Sequence, residues 1–275
     1  MTSRWPSLGR LPTRVVLLGT LLLYGLPALF MVATSLRTNA AVYAQAFSFH
    51  FTPTIAAYRS IGAYDVKAAL WSSVRITFAT TAIILFFGVP AAYALARAVG
   101  KARSVGLGSL IILQLLPAST LVIPLYKVLQ AWGMLGSLQG VILADTAYYL
   151  PFAIILLRPF FLGVPMALEQ AAAIDGASRR RIFLEIVIPL ARNGVLTVGV
   201  LVGMIVWGDF LFALTILVNP TDYPLSTLLA QQVSNYGINW PQLMALAVIA
   251  AAPIVVAFLA IERRLAAGLS LGGVK

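Results

Sequence analysis

Asp209 follows Trp207 by two positions in an otherwise apolar run, and Asp145 sits within a helical turn of Tyr148 and Tyr149 in another. An aromatic face beside a hydrogen-bond acceptor is chemistry that suits a sugar, whose ring stacks while its hydroxyls donate. The competing reading of Asp209 is a structural polar contact between helices. For Asp145, an anchor at the membrane interface competes with a place on a solute pathway, and Gln114 adds a further amide in a third apolar run. A carboxylate in a spanning helix costs about 2.5–3.5 kcal/mol on insertion scales, so each one needs a reason. Two acids with no basic partner in a span do not compose a proton relay.

Other chemistries are closed off. The chain has no cysteine and a single histidine, His50, which excludes thiol chemistry and a cysteine/histidine metal cluster and leaves a histidine-based triad without support. No catalytic residue and no metal ligand is expected. No G-x-x-x-x-G-K-[ST] phosphate loop occurs, so no ATP site of the usual kind and no cofactor is expected in this chain.

The elements that must carry these side chains follow from composition. Of 275 residues, 61% are hydrophobic and 10% charged, with a mean hydropathy of +0.95. Soluble domains carry about 25% charged residues, so this chain cannot cover a water-facing surface. Apolar runs of about 20 residues, rather than alternating segments of about ten, point to spanning helices and not to a barrel. The net charge of +11 is scattered between these runs, which suits orientation in a bilayer better than nucleic acid.

An all-α membrane protein with six spans is expected, at about 15–35, 72–96, 105–129, 141–157, 193–218 and 243–261, the third broken by Pro117 and Pro124. The first run is too long for the 7–15-residue core of a signal peptide, although Ala44-Gln45-Ala46 offers a small-x-small cleavage site; an uncleaved span is expected. On one side of this topology fall fourteen basic residues: Arg4, Arg10, Arg14, Arg97, Lys101, Arg103, Arg158, Arg179, Arg180, Arg181, Arg192, Arg263, Arg264 and Lys275. The other side holds five, Arg37, Arg59, Lys67, Arg75 and Lys127. The positive-inside rule then places both termini in the cytoplasm. The expected organisation is a cytoplasmic tail (1–14), a first transmembrane helix (15–35), an external loop (36–70), a five-helix core (71–262) with a cytoplasmic loop at 159–192, and a cytoplasmic tail (263–275). The chain shows no repeat of itself, so any two-fold partner must be a second chain.

One long segment is polar, basic and helical: Leu168 to Leu190, LEQAAAIDGASRRRIFLEIVIPL. Pro165 suits a first helical turn, and Glu169 lies where the helix dipole favours an acid. Asp175-Gly176 ends that helix, with Gly176 a left-handed stop. Leu168, Ala171, Ala172 and Asp175 lie at i, i+3, i+4 and i+7, one face made mostly of methyl groups. Such a face lets a helix sit deep in a groove of another protein. Ser178 is placed to cap a second helix, Arg179 to Ile188, with Pro189 close to where the chain returns to the membrane. The competing reading is an amphipathic helix lying on lipid with Arg179, Arg180 and Arg181 on headgroups. The alanine-rich face favours protein.

The spacing Gln170-Ala171-Ala172, three residues, Gly176, nine residues, Ile186-Val187-Ile188-Pro189 resembles the EAA loop of bacterial ABC importer permeases, whose pattern is Glu-Ala-Ala, three, Gly, nine, Ile-x-Leu-Pro. The whole chain is similar to the carbohydrate-uptake branch of that family, the maltose and glycerol-3-phosphate type. Supporting segments are Ala91-Ala92-Tyr93-Ala94-Leu95-Ala96-Arg97, Ile123-Pro124-Leu125-Tyr126, Leu150-Pro151-Phe152-Ala153, Trp207 through Ala213, and the closing Gly273-Val274-Lys275. Two positions depart. The first glutamate of the motif falls on Gln170, with Glu169 beside it, so the carboxylate usually implied in a salt bridge to the ATPase is either replaced by an amide or supplied by Glu169. The family's Trp-Asn-Glu reads Trp207-Gly208-Asp209.

The resemblance implies the transmembrane domain of a type I ABC importer, carrying a sugar, oligosaccharide or polyol. Its implied partners are a second homologous permease, two cytoplasmic ATPase subunits that bind ATP and Mg2+, and an external solute-binding protein. Coupling would run through residues 165–189, with Leu168, Glu169, Gln170, Ala171, Ala172, Asp175, Gly176 and Arg179 at the ATPase. Gln114, Asp145, Trp207 and Asp209 are the pathway candidates. The external segment from Asn219 to Trp240 contains no Lys or Arg; Asn219, Tyr223, Gln231, Asn235 and Tyr236 give it a hydrogen-bonding, aromatic surface for the binding protein, against the plainer reading of a solvated loop. The rival function is an autonomous secondary transporter of a small polar solute, which would need paired intramembrane charges or internal repeats. A membrane-embedded enzyme would need a nucleophile, base or metal cluster facing a cavity.

Overall fold

The computed structural model describes residues 10–272 except 46, 47, 49, 235 and 236. In chain order the helices are α1 (Arg10–Ser35), α2 (Asn39–Ala44), α3 (Ala56–Ser60), α4 (Val66–Arg97), α5 (Gly100–Leu115), α6 (Ala118–Ala131), α7 (Leu138–Leu162), α8 (Met166–Ile174), α9 (Arg179–Arg181), α10 (Ile188–Gly208), α11 (Leu211–Ile216), α12 (Leu225–Gln231) and α13 (Trp240–Gly272). A π-helical turn, Ile182–Val187, joins α9 to α10, and two short strands, β1 (Val233–Ser234) and β2 (Gly237–Ile238), pair antiparallel before α13. Among the described residues, five helical stretches are long and apolar enough to cross a membrane, and α5 with α6 adds a sixth if that pair, bent by 97°, is one span.

The chain forms two compact units: Met1–Tyr64 with Gln231–Ala252, and Asp65–Ala230 with Pro253–Lys275. In the first, α1 leaves Leu17, Leu21 and Tyr24 exposed, as a helix does when lipid or another subunit must cover it. The expected loop at 36–70 carries α2 and α3. Arg37 is buried there, its guanidinium donating to the Gln45 carbonyl at 2.8 Å, and Tyr43 donates to the Ile238 carbonyl at 3.0 Å.

In the second unit, α4, α7 and α10 pack together as the core. Asp65 caps α4 by accepting from the Ala68 N–H at 2.9 Å, and Ser137 caps α7 by accepting from Gly140 at 3.1 Å. Without a hydrophobic force between helices in lipid, close approach depends on small residues. Gly194 of α10 shows it: a Cβ there would lie 2.2 Å from the Phe160 ring of α7.

Boundaries differ from the sequence reading: α4 starts at Val66, inside the expected loop, α7 runs on to Leu162 and α13 to Gly272, and the third and fifth spans differ further. The third span breaks at Pro117, which has no N–H and forces Leu116 into extended backbone, whereas Pro124 stays inside α6. The fifth span does not start at Asn193; helix runs continuously from Arg179 to Gly208, with Pro189 in its interior rather than at a boundary. That span also ends earlier than expected, because Asp209 is extended (ψ 133) and separates α10 from α11.

Candidate functional site

The polar stretch begins with α8, and Pro165 precedes it as its N-cap. Asp175 closes the helix and Gly176, at φ +82, turns the chain away, a conformation that a Cβ disfavours. Leu168, Gln170, Ala171, Ile174 and Asp175 are exposed, Ile174 at 86%. Glu169 is buried and Ala172 half-buried, three positions apart on the opposite face. Of the expected face, Leu168, Ala171 and Asp175 are exposed and only Ala172 is partly covered, while Ile174, outside that set, is exposed as well. Ser178 accepts from the Arg181 N–H at 3.3 Å as the expected cap, and Arg179 is exposed. Beyond it the expected second α-helix, Arg179 to Ile188, is instead one α-turn followed by the π-turn.

Glu169 does not present its carboxylate outward. Its Oε2 accepts from the Tyr93 hydroxyl at 2.6 Å, and its Oε1 accepts from the Arg97 Nε at 2.9 Å and from an Arg97 Nη as well. The same guanidinium donates to the Val164 carbonyl at 3.0 Å. In this geometry the Glu169 carboxylate is engaged within its own chain, in a part-buried pair with Arg97.

The intramembrane candidates divide. Asp145, Trp207 and Asp209 line one small cavity with Ser73, Ile76, Thr77, Val141, Val206, Ala213 and Pro224, and its free volume of about 10 Å³ is close to that of a single water molecule. Ligand pockets are larger, roughly 300–1,000 Å³, so this conformation has no room for a sugar there. Asp145 is 2% exposed and its Oδ1 has no hydrogen-bond partner among the described residues; burial in the core replaces the interfacial anchor. Asp209 is held on three sides: Tyr149 donates to its Oδ2 at 2.6 Å, the Leu211 N–H donates to Oδ1 at 2.8 Å, and Ser226 donates to its backbone carbonyl at 2.6 Å. Gln114 lies outside this cluster, its amide donating to the Tyr148 carbonyl at 3.1 Å and tying α5 to α7.

Residues 84–270 match the family described as the binding-protein-dependent transport system inner membrane component. The chain belongs to that family. It is a multi-pass permease of the cytoplasmic membrane, a transport subunit and not itself an enzyme, and it works with ATPase and binding-protein partners. The permease is 32% identical to the sulfoquinovosyl glycerol transport system permease protein of Agrobacterium fabrum over 96% of this chain and 94% of that one. It is also 32% identical to the trehalose transport system permease protein of Mycobacterium tuberculosis, covering 91% of this chain and 92% of the other. Its fold matches a chain of a bacterial ABC transporter involved in the import of the acidic polysaccharide alginate, with a TM-score of 0.75, 23% identity, and 95% and 99% of the two chains covered.

Within the permease, Tyr223 is buried, so it is not part of the exposed aromatic surface expected at 219–240. Asn219 and Gln231 are exposed, and Asn219 is occupied in capping the turn Pro220–Asp222 through its acceptance from Thr221 at 3.2 Å. Asn235 and Tyr236 lie outside the described residues, as do Arg4 and the closing Gly273-Val274-Lys275. Sequence reasoning missed Tyr149 as the partner of Asp209, and Tyr93 and Arg97 as partners of Glu169. The signal available was the segment from Ala91 to Arg97, noted for its resemblance and not for its side chains.

Proposed function

We propose that this permease carries a sugar, oligosaccharide or polyol inward and is coupled to a separate ATPase through residues 165–189. The observation that supports this most is the exposed face of α8, where Leu168, Ala171 and Ile174 offer apolar side chains on a short helix followed by Arg179, Arg180 and Arg181, the form a helix-in-groove contact takes. The substrate class is supported by relatives named for trehalose and for sulfoquinovosyl glycerol, similar to this chain over nearly its whole length. Both termini and α8 face the cytoplasm in this reading, on the side assigned fourteen of the nineteen basic residues. A second, homologous permease and two ATPase subunits complete the assembly, with ATP and Mg2+ bound by the ATPases. Gln170 and Arg179 meet the ATPase beside the apolar face. Trp207 and Asp209 mark the pathway, Asp145 lies beside them, and Asn219 and Gln231 face the external binding protein. Transport then follows as two openings of a two-state assembly biased by nucleotide.

Purification of the detergent-solubilised complex through a tag on this chain tests the coupling half, with Ala171→Arg alongside. The expected result is an ATPase recovered with the unaltered chain and lost with the arginine variant. Recovery of this chain alone, still moving solute in liposomes, would overturn the reading. Uptake of labelled trehalose, arabino-oligosaccharides and glycerol derivatives by cells with and without the chain tests the substrate half. Uptake of an amino acid instead would reassign it.

A further inference from the structure

We infer that Arg97 and Glu169 are the positioning pair through which movement of α8 enters the membrane core, so that breaking the pair separates ATP hydrolysis from rearrangement of the pathway while leaving the ATPase bound. The inference rests on the coupling reading proposed above.

The attachment of α8 to its own chain is polar at its centre. Among the described residues of α8, Glu169 alone is buried; the apolar side chains of the helix point outward or are half-covered. Beside its packing on the π-turn, the helix is held by one carboxylate that accepts from Tyr93 and from two nitrogens of Arg97, while the same guanidinium grips the Val164 carbonyl in the connection from α7. An apolar contact can slide, but a forked guanidinium–carboxylate pair fixes direction as well as distance. Each charge also sits where its helix favours it, Glu169 in the first turn of α8 and Arg97 in the last turn of α4. Tyr93 extends the hold to the π-turn, its ring lying 4.9 Å from that of Phe183.

The other end of α4 explains what such a hold could do. Ser73, Ile76 and Thr77 of α4 line the cavity that also contains Asp145, Trp207 and Asp209. Thr77 lies twenty residues before Arg97 on the same continuous helix, about 30 Å at 1.5 Å per residue. Helix α4 packs along both α7 and α10, the helices that bear Asp145 and Trp207. A displacement of α8 therefore has a direct mechanical route through one pair of side chains and one helix to the cavity wall.

The absence of native cysteine makes the test direct. Thr77→Cys is introduced in the assembled complex and labelled with a small maleimide, without nucleotide and with MgATP and vanadate; incorporation is read on this chain. With the pair intact, the labelling rate is expected to change with nucleotide by a factor in the range of allosteric coupling, roughly 5–150-fold. Adding Glu169→Gln or Arg97→Gln should abolish the nucleotide-dependent change, with ATPase still recovered and still hydrolysing ATP. Tyr93→Phe, a milder change, should reduce it, and the reversed pair Arg97→Glu with Glu169→Arg should restore part of it. A full change in the Glu169→Gln variant would overturn the inference. So would loss of ATPase binding in that variant, which would make the pair part of the docking site rather than a transmitter. If Thr77→Cys alone recovers no ATPase, the coupling reading itself fails, and that failure is visible before the pair is touched.

Discussion

Tyr149 and Asp209, sixty residues apart in the chain, meet at 2.6 Å, the phenol donating to one carboxylate oxygen while the Leu211 N–H donates to the other. The carboxylate thus stabilises the break between α10 and α11 and ties it to α7. An amide has one acceptor oxygen where a carboxylate has two. Asp209→Asn should therefore keep one of the two bonds and Asp209→Ala neither. Expected losses are about 1–3 kcal/mol for Asp209→Asn or Tyr149→Phe, and more for Asp209→Ala. Thermal unfolding in detergent gives the order, and uptake in the same variants shows whether the break belongs to the pathway.

Gly194 has no room for a methyl group beside Phe160. Gly194→Ala should destabilise the second unit by about 1–3 kcal/mol, the usual effect of overpacking. Adding Phe160→Leu should recover little of that loss, because leucine keeps the Cβ and Cγ that lie 2.7 and 2.2 Å from the new methyl. If Gly194→Ala is neutral by thermal unfolding, the α7–α10 approach is looser than the structure has it.

Asp145 is buried with an oxygen that no described residue satisfies. Replacing it with Asn keeps the volume and removes the chance of a buried charge. Asp145→Asn is expected to raise the unfolding temperature by a few degrees, about 1 kcal/mol of stability. If transport falls while stability rises, the carboxylate is kept for function.

Position 170 is exposed and neutral, while the acid beside it is engaged internally. Gln170→Glu should leave stability within about 0.5 kcal/mol of the parent, as exposed substitutions do. It should also make ATPase association tighter at low salt and parent-like at high salt, because a surface charge is screened. Co-purification across a salt series measures this, and a weakened complex at low salt would mean that an acid is unfavourable there.

Much of this was legible in the sequence because lipid imposes a coarse grammar. Runs of about 20 apolar residues must be helices, and the charge-rich stretch stands out against them. The end of α8 was readable too, since Gly176 is suited to a left-handed turn. Partners were harder to read. Arg97 looked like one more cytoplasmic cation until the fold brought it to Glu169, 72 residues away. Tyr149 looked like an interfacial aromatic until the break at Asp209 met it. The outward face of α8 is legible at Leu168, Ala171 and Asp175 and less so at Ala172 and Ile174, because a nine-residue helix with alanine on several sides has little hydrophobic contrast.

The π-turn at Ile182–Val187 has a consequence for how the stretch from Arg179 to Gly208 can be cut and joined. One residue advances an α-helix by about 100°, and a π-turn accommodates an extra residue without breaking the rod. The face that Phe183 turns toward Tyr93 and the face that α10 turns toward α4 and α7 are thus set by two phases of one helix. Deleting a single residue between Ile182 and Val187 would merge the phases and swing one face away from its neighbour, although every apolar residue would still be present. A chimera of two permeases should be spliced outside these six residues, since a junction that conserves hydropathy there can still lose the gearing.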